Sequence, residues 1–461
     1  MDPMESINPA TGERIRLFPL HGADEVEARL TLAADAQRAW AARSYADRGA
    51  LLRRIAALLI ERSPPLAAVM TDEMGKPVTE AVGEVRKCAW VCGHYAEHAE
   101  AMLAAEPVDV GEPEAFVRFD PLGVVFAVMP WNFPFWQVFR MAAPALMAGN
   151  ALLVKHAPNT QGCMEAIEGL VAEAGLPPGL LSAVRVPVDA VPGIIGDRRV
   201  AAVTVTGSER AGSAVASEAG RALKKAVLEL GGSDPFVVLE DADLDAAVAA
   251  ATKSRCLNSG QSCCAAKRFV VVNAVADAFE GKLAAAMGAL VVGDPMDPRT
   301  QVGPLARPDL QEQLADQCAR AVAAGARVLV GGAEPVELPA GLDPTCYFRP
   351  TLLGGVTGDN PAAREETFGP LGAVLRVADE EEAIAVANDT EYGLAGSVWT
   401  ADRERGKRIA ARIHAGGVFV NAMPGSDPRV PFGGVGKSGY GRELGVFGLR
   451  EFVNIKTVWV Q

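Results

Sequence analysis

Three side chains in this sequence are set among glycine, proline or other small residues in a way that suits covalent chemistry at a carbonyl carbon. They are Cys263 in Asn258-Ser259-Gly260-Gln261-Ser262-Cys263, Glu229 in Leu228-Glu229-Leu230-Gly231-Gly232, and Asn132 in Pro130-Trp131-Asn132-Phe133-Pro134. A thiol attacks a carbonyl well near neutral pH, and a nearby carboxylate can take a proton from water to cleave the resulting thioester. Small residues around Cys263 let the main chain approach the substrate, so its amide N–H is placed to donate to the developing oxyanion. A second donor is then needed. Asn132 offers one at the tip of a turn that two prolines hold after the apolar run Val124 to Met129. Taken singly, each residue has a plainer reading: a free cysteine is most often a small buried hydrophobe, and most glutamates are solvated. Their order in three separate motifs argues for chemistry.

Together these segments resemble the aldehyde dehydrogenase superfamily, and the resemblance runs across nearly all of the 461 residues. It implies an α/β fold of two Rossmann-type domains in series with a small β oligomerisation arm. By the resemblance, Cys263 is the nucleophile, Glu229 the general base and Asn132 the oxyanion donor. The implied reaction passes through a thiohemiacetal, hydride transfer to NAD or NADP, and hydrolysis of a thioester. The implied domains are residues 1–104 with 121–229 for the cofactor, 230–424 for catalysis, and 105–120 with 440–461 for assembly into a homodimer or homotetramer.

The cofactor residues follow the same resemblance. Val203-Thr204-Val205-Thr206-Gly207-Ser208 leads a strand into a helix, whose N-terminus suits a pyrophosphate. Three spaced glycines are absent, but Gly207 and Ser208 match the family's Gly-Ser-x-x-x-Gly form. Ser208 also reads as an ordinary helix cap, compatible with that role. Lys155 is implied to reach the adenosine ribose or its phosphate, Glu366 the nicotinamide ribose, and Phe368 and Trp131 complete the set. The family often has Pro-Ser-Glu after the lysine, whereas this chain has His156-Ala157-Pro158. Without that carboxylate, repulsion against a 2′-phosphate is removed and NADP is permitted. Gly433-Gly434-Val435-Gly436-Lys437-Ser438 imitates a phosphate loop, but Pro431 stands where its first glycine is required.

The substrate is read from Arg140, about two helical turns beyond Asn132 on an expected helix from Phe135 to Ala148. An arginine there suits a bidentate clamp on a carboxylate. By resemblance to the shorter bacterial succinate-semialdehyde dehydrogenases, Arg140 holds the substrate and Ser426, with Arg429 nearby, supports it. Many of that group carry a second arginine directly before the catalytic-loop asparagine, where this chain has Leu257. A broader aliphatic aldehyde dehydrogenase therefore stays open. So does a thiol hydrolase using Cys263 and Glu229 without nicotinamide, although none of the five histidines is obviously placed to assist. Cys264 cannot attack the same carbonyl as its neighbour, and a strained vicinal disulfide between them would silence the enzyme.

The elements that must position these residues are legible as patterns. Helical spacing predicts helices over Ala23 to Arg43, Asp47 to Glu61 and Thr79 to Leu103, punctuated by Pro64-Pro65 and Gly75-Lys76-Pro77. Beyond Val124, short apolar strands alternate with helices, which predicts parallel sheets covered on their faces. Phe452 to Val460 has the β-rich character of an edge strand that needs covering. On a continuous helix Cys88 and Cys92 share one face and His94 and His98 another, so no metal is expected there.

A net charge of −13 and a pI near 5.1 exclude a general affinity for nucleic acid or anionic membranes. Any anionic substrate must be held by local cations. No leader pattern or membrane-length apolar run is visible. Eight scattered cysteines fit a reducing compartment, and a cytoplasmic location is expected.

Overall fold

The computed structural model describes residues 3–461. A first sheet has six strands in the order Gly439–Tyr440, Lys225–Glu229, Val200–Thr206, Val124–Val128, Ala151–Lys155 and Leu181–Ala183. Neighbours are parallel except Gly439–Tyr440, which runs antiparallel to Lys225–Glu229. Helices cover both faces, so the strands are continuous apolar runs; Ala151–Lys155 is buried throughout. The strand order reverses between Val124–Val128 and Val200–Thr206, and such a reversal opens a crevice beyond the carboxyl ends of the strands. The loop leaving the first of these carries Asn132, and the loop leaving the second carries Gly207 and Ser208.

A second sheet has seven strands: Arg327–Val330, Thr351–Gly354, Leu371–Val377, Ala266–Val272, Asp234–Val238, Ala395–Trp399 and Gly417–Val420. Only Arg327–Val330 is antiparallel to its neighbour. This sheet brings the amino ends of its strands to the crevice. Glu229 to Gly232 leads into Asp234–Val238, the Cys263 loop into Ala266–Val272, and the Glu366 loop into Leu371–Val377. The alternation of apolar strands and helices beyond Val124 is thus found as two mainly parallel sheets.

Three departures from the sequence reading have local causes. A hairpin of Met4–Ile7 with Arg14–Phe18 precedes the helices, a pairing too short for periodicity to reveal. Pro64 and Pro65 sit in the first turn of the helix Ser63–Met74. A fixed φ and a missing N–H cost little there, so the prolines start a helix instead of separating two. The helix Val78–Met102, in accord with the sequence reading, runs unbroken through Gly93, sending Cys88 and Cys92 into the core while His94 and His98 lie with ring centroids 4.7 Å apart. Finally, Tyr440 pairs with Leu228, so the stretch from residue 440 rejoins the first sheet before Val453–Val460 reaches the arm. Gly439 makes this return possible at φ +108, because a Cβ there would lie 2.1 Å from the Leu228 carbonyl oxygen. The arm itself is a three-stranded sheet in the order Val453–Val460, Glu114–Pro121, Glu106–Val108.

No helix among the described residues is long and apolar enough to cross a membrane.

Candidate active site

A cavity of about 760 Å³ lies where the two sheets meet, and Trp131, Asn132, Gly207, Ser208, Glu229, Cys263, Glu366 and Phe368 all line it. Segments far apart in the chain are therefore brought to one space. Lys155, Arg140 and Ser426 are not among the lining residues, and neither is any of the histidines.

The loop that presents Cys263 is strained and heavily tied. After the helix Leu244–Cys256, three successive residues take left-handed conformations: Asn258 at φ 55, Ser259 at φ 53 and Gly260 at φ 77. The two with side chains each cost about 1–2 kcal/mol there, so surrounding bonds must hold them. Asn258 Nδ2 donates to the carbonyls of Asn132 at 2.7 Å and Gln261 at 3.1 Å, and its N–H donates to Glu80 at 2.6 Å. Ser259 Oγ donates to the Gly303 carbonyl at 3.0 Å. At Gly260 a Cβ would lie 2.3 Å from the backbone of Gly369. Buried Lys267 then donates to the carbonyls of Cys263 at 2.7 Å and Ser262 at 3.2 Å. Backbone geometry, held by these side-chain bonds, fixes where the sulfur stands.

The Asn132 turn is fixed from behind. Lys76, buried and paired with Glu84, donates to the Asn132 carbonyl at 3.0 Å. Glu84 Oε1 accepts from the N–H groups of Phe135 at 3.0 Å and Trp136 at 2.9 Å, satisfying otherwise open donors at the start of the helix Trp136–Ala148. His156 is a further brace. Its Nε2 donates to the Pro134 carbonyl at 2.9 Å, while Nδ1 accepts from the Ala157 N–H and from Thr160 Oγ1. Burial lowers its pKa to about 4, so the ring is neutral. Asn132 Nδ2 donates one hydrogen to the Gln261 carbonyl at 3.2 Å, leaving the other for the cavity. Replacing Asn132 with alanine is expected to lower kcat by about 10²–10³-fold, the usual cost of one oxyanion donor. Steady-state kinetics with unchanged cofactor affinity is the check.

Glu229 ends the strand Lys225–Glu229 as a buried carboxyl with no hydrogen-bond partner on either oxygen. Burial, reinforced by the charge of Glu443, pushes its pKa well above the ordinary carboxylate range. Gly433 makes room for it: at φ +148, a Cβ there would lie 2.4 Å from Glu229 Oε1. The false phosphate loop beyond is one short turn, Gly436–Ser438, and Ser438 Oγ donates to the Gly231 carbonyl at 2.6 Å. It supports the Glu229 strand.

Cys263 and Cys264 are both half-buried free thiols. A hydrogen bond to its neighbour and burial push the Cys263 thiol up. Cys264 is brought down to about 6, chiefly by the hydrogen bond from Cys263, then by Ser262, Lys87 and Lys267. A thiolate is therefore present at this pair near neutral pH, and Cys263 is the member that lines the cavity.

On the opposite wall, Ser208 Oγ caps the helix Glu209–Arg221 by accepting from the Ala211 N–H at 3.3 Å. The remaining N-terminal donors face the cavity. Glu366 accepts from the Gly232 N–H at 3.0 Å and lies 3.5 Å from Lys267. Trp131 and Phe368 meet edge to face, centroids 5.7 Å apart. Lys155 is buried at the end of its strand beside Val128, with its pKa lowered by burial.

Arg140 is not on a surface. Every residue of Trp136–Ala148 is buried, and a charge there requires a partner. Arg140 pairs with Glu443, donates to Thr206 Oγ1 at 3.3 Å, and lies 5.0 Å from the Phe432 ring centre. Ser426, expected to support it, accepts a hydrogen bond from Lys87 Nζ at 2.8 Å. Arg429 is exposed and paired with Asp427. Lys76, Glu84, His156 and Lys267 were not singled out from sequence as supports: Lys76, Glu84 and His156 act on a turn 22 to 56 residues away, and Lys267, though only four or five residues from the carbonyls it holds, belongs to no motif; Lys76 reads in the sequence only as part of a helix break.

A sequence profile of the aldehyde dehydrogenase family matches residues 1–458. The Escherichia coli succinate semialdehyde dehydrogenase [NAD(P)+] Sad is 49% identical over 98% of this chain and 97% of its own. A probable succinate-semialdehyde dehydrogenase [NADP(+)] of Synechocystis is 48% identical over 99% of both chains. The crystal structure of the Streptococcus pyogenes succinic semialdehyde dehydrogenase, solved with NADP+, superposes with a TM-score of 0.96 at 37% identity and 99% coverage of both. With its two parallel sheets and cysteine-lined crevice, this chain belongs to the aldehyde dehydrogenase family.

Proposed function

We propose that this chain oxidises succinate semialdehyde to succinate with NAD or NADP. The observation that carries the reading is the single cavity shared by Cys263, Glu229, Asn132 and the open helix N-terminus at Ser208; the names of the relatives supply the substrate. Cys263 Sγ bonds to the aldehyde carbon, and the thiohemiacetal oxygen is held by Asn132 Nδ2 and the Cys263 N–H. The nicotinamide, when bound, supplies the hydride acceptor. Glu229 then takes a proton from water as its oxygen attacks the thioester, releasing the acid and returning the thiolate to Cys263.

The chain's own residues fit a dinucleotide. Ser208 and the first residues of the helix Glu209–Arg221 offer N–H groups to its phosphates, while the Gly207 N–H is spent on the Glu229 carbonyl at 3.0 Å and Gly207 gives room for the approach; Glu366 has one oxygen available to a ribose, Trp131 and Phe368 flank the ring, and Lys155 serves the adenosine side. With no acid after Lys155, a 2′-phosphate is tolerated. Residues 1–104 with 121–229, joined by the returning strand Gly439–Tyr440, form the cofactor domain, 230–424 the catalytic domain, and 105–120 with the rest of 440–461 the assembly element. Val453–Val460 stands at a sheet edge with Ile455 62% and Trp459 57% exposed, which supports a homodimer or homotetramer. The free thiols support a cytoplasmic location.

The test is reduced-nicotinamide formation from succinate semialdehyde, glutarate semialdehyde and butanal, each with NAD and NADP. A kcat/KM about tenfold above butanal, about 1.4 kcal/mol of selective stabilisation, is expected for the four-carbon acid. Equal or better turnover of butanal makes this a broader aliphatic aldehyde dehydrogenase, and ester cleavage without nicotinamide as the faster reaction makes it a thiol hydrolase.

A further inference from the structure

A lysine inside a parallel sheet is almost never fully buried unless its charge is answered. Lys267 is the second residue of the strand Ala266–Val272, every position of which is buried, and its side chain is wholly enclosed. Its ammonium carries three N–H donors. The Cys263 carbonyl lies at 2.7 Å, the Ser262 carbonyl at 3.2 Å and Glu366 Oε1 at 3.5 Å. The adjacent Arg268 is equally buried but donates to the carbonyls of Ser233, Val386 and Ala387. It ties the sheet to its surroundings, whereas Lys267 serves the loop that presents the thiol. The two carbonyls held by Lys267 differ in what stands behind them. The Ser262 carbonyl belongs to the same peptide unit as the Cys263 N–H, and across a trans peptide these two groups point in opposite directions. That carbonyl also accepts from the Ala265 N–H at 3.3 Å. Electron density drawn toward the carbonyl oxygen by two donors, one of them charged, leaves the N–H on the far side a stronger donor. Among the described residues the Cys263 N–H donates to no backbone carbonyl.

We infer that Lys267 is a positioning residue for the oxyanion: through the Ser262 carbonyl it strengthens and aims the Cys263 N–H, and through the Cys263 carbonyl it fixes the other side of the nucleophile's own residue. Glu366 is the counter-ion that keeps the ammonium charged in this enclosed place. Lys267 does not line the cavity, so it acts through the peptide and not on the aldehyde. Its effect falls on the charge that develops on the aldehyde oxygen as the sulfur adds to the carbon, and again as water adds to the thioester. This assignment rests on the role proposed above for Cys263.

The experiment follows two reactions of the same sulfur in the intact enzyme. Addition to an aldehyde develops an oxyanion; alkylation of Cys263 by iodoacetamide does not. The first-turnover rate of reduced-nicotinamide formation, at saturating cofactor with succinate semialdehyde and with butanal, is compared with the high-pH plateau rate of Cys263 alkylation, read by peptide mass spectrometry. Lys267→Met is expected to slow the first turnover by about 10–30-fold, less than the loss of a whole oxyanion donor, and to leave the alkylation plateau within about threefold of the wild type. Lys267→Arg, which returns the charge and the donors, should recover most of the first-turnover rate. A first turnover in Lys267→Met within about threefold of the wild type overturns the assignment. So does a parallel loss in both reactions, which makes Lys267 a support of the loop alone. If Lys267→Met does not fold, Lys267→Gln is measured in the same way, and an unchanged first turnover there has the same overturning force. The Cys263 reading fails separately, through a wild type that oxidises aldehyde without an acyl adduct ever forming on Cys263.

Discussion

Replacing Cys263 with alanine abolishes aldehyde oxidation, with a loss of about 10⁵–10⁶-fold in kcat, the scale on which deleting a covalent nucleophile acts. The adjacent sulfur does not rescue it. Cys263 lines the cavity with Asn132 and Glu229, whereas Cys264 does not, and neighbouring side chains cannot be aimed at one carbonyl carbon. Cys264→Ala therefore retains thioester formation but loses the partner that accepts the Cys263 hydrogen bond. Since that bond is the first cause bringing the Cys264 thiol down to about 6, alkylation of the wild type should rise through about pH 6. In Cys264→Ala the rise moves to higher pH, as a single thiol replaces the coupled pair. Single-turnover kinetics and mass spectrometry of the alkylated enzyme measure both effects. An active Cys263→Ala and an inactive Cys264→Ala would assign the chemistry to the other sulfur.

The second large effect falls on Glu229. Glu229→Gln keeps the shape of the side chain and removes the base, so thioester hydrolysis slows by about 10²–10⁴-fold. Thiohemiacetal formation does not need this carboxylate. Rapid-mixing experiments should then show a burst of reduced nicotinamide approaching one equivalent per subunit, followed by a stall, with the acylated Cys263 visible in the intact mass. The pH dependence follows from the raised pKa. Below it Glu229 carries a proton and cannot take another; above it the carboxylate is free to act. Hydrolysis in the wild type therefore increases with pH through that raised value, and in Glu229→Gln this increase disappears. Steady turnover without a burst in Glu229→Gln would mean that water is activated elsewhere.

Both predictions concern residues that the sequence exposes for a physical reason. Asn258-Ser259-Gly260 is a run of small residues before Cys263, and the structure uses it for three consecutive left-handed conformations that bulky side chains would resist. Gly207-Ser208 after an apolar strand is a local signal too: the strand, the turn and the helix cap are formed by neighbours in the chain. Such features need no knowledge of distant partners. The alternation of apolar strands and helices likewise made the parallel sheets legible, because a strand covered on both faces is apolar at nearly every position.

The ionic arrangement was not legible in the same way. Whether Arg140 meets solvent, substrate or a carboxylate depends on what surrounds its helix, and Glu443 comes from a segment that returns to the first sheet near the end of the chain. The Lys87–Ser426 bond joins residues 339 positions apart, and no periodicity or motif encodes such a meeting. His156, conspicuous in sequence as a departure after Lys155, becomes a neutral brace for the Pro134 turn only through a contact between the loops that leave two adjacent strands.

The sequence by itself determined the family, the two-sheet α/β architecture and the three residues placed to carry covalent chemistry, since those rest on local backbone demands and ordered motifs. The tertiary structure alone decided which cations are neutralised and which carboxyl is buried without a partner, because burial and ion pairing are set by the segments that folding brings together.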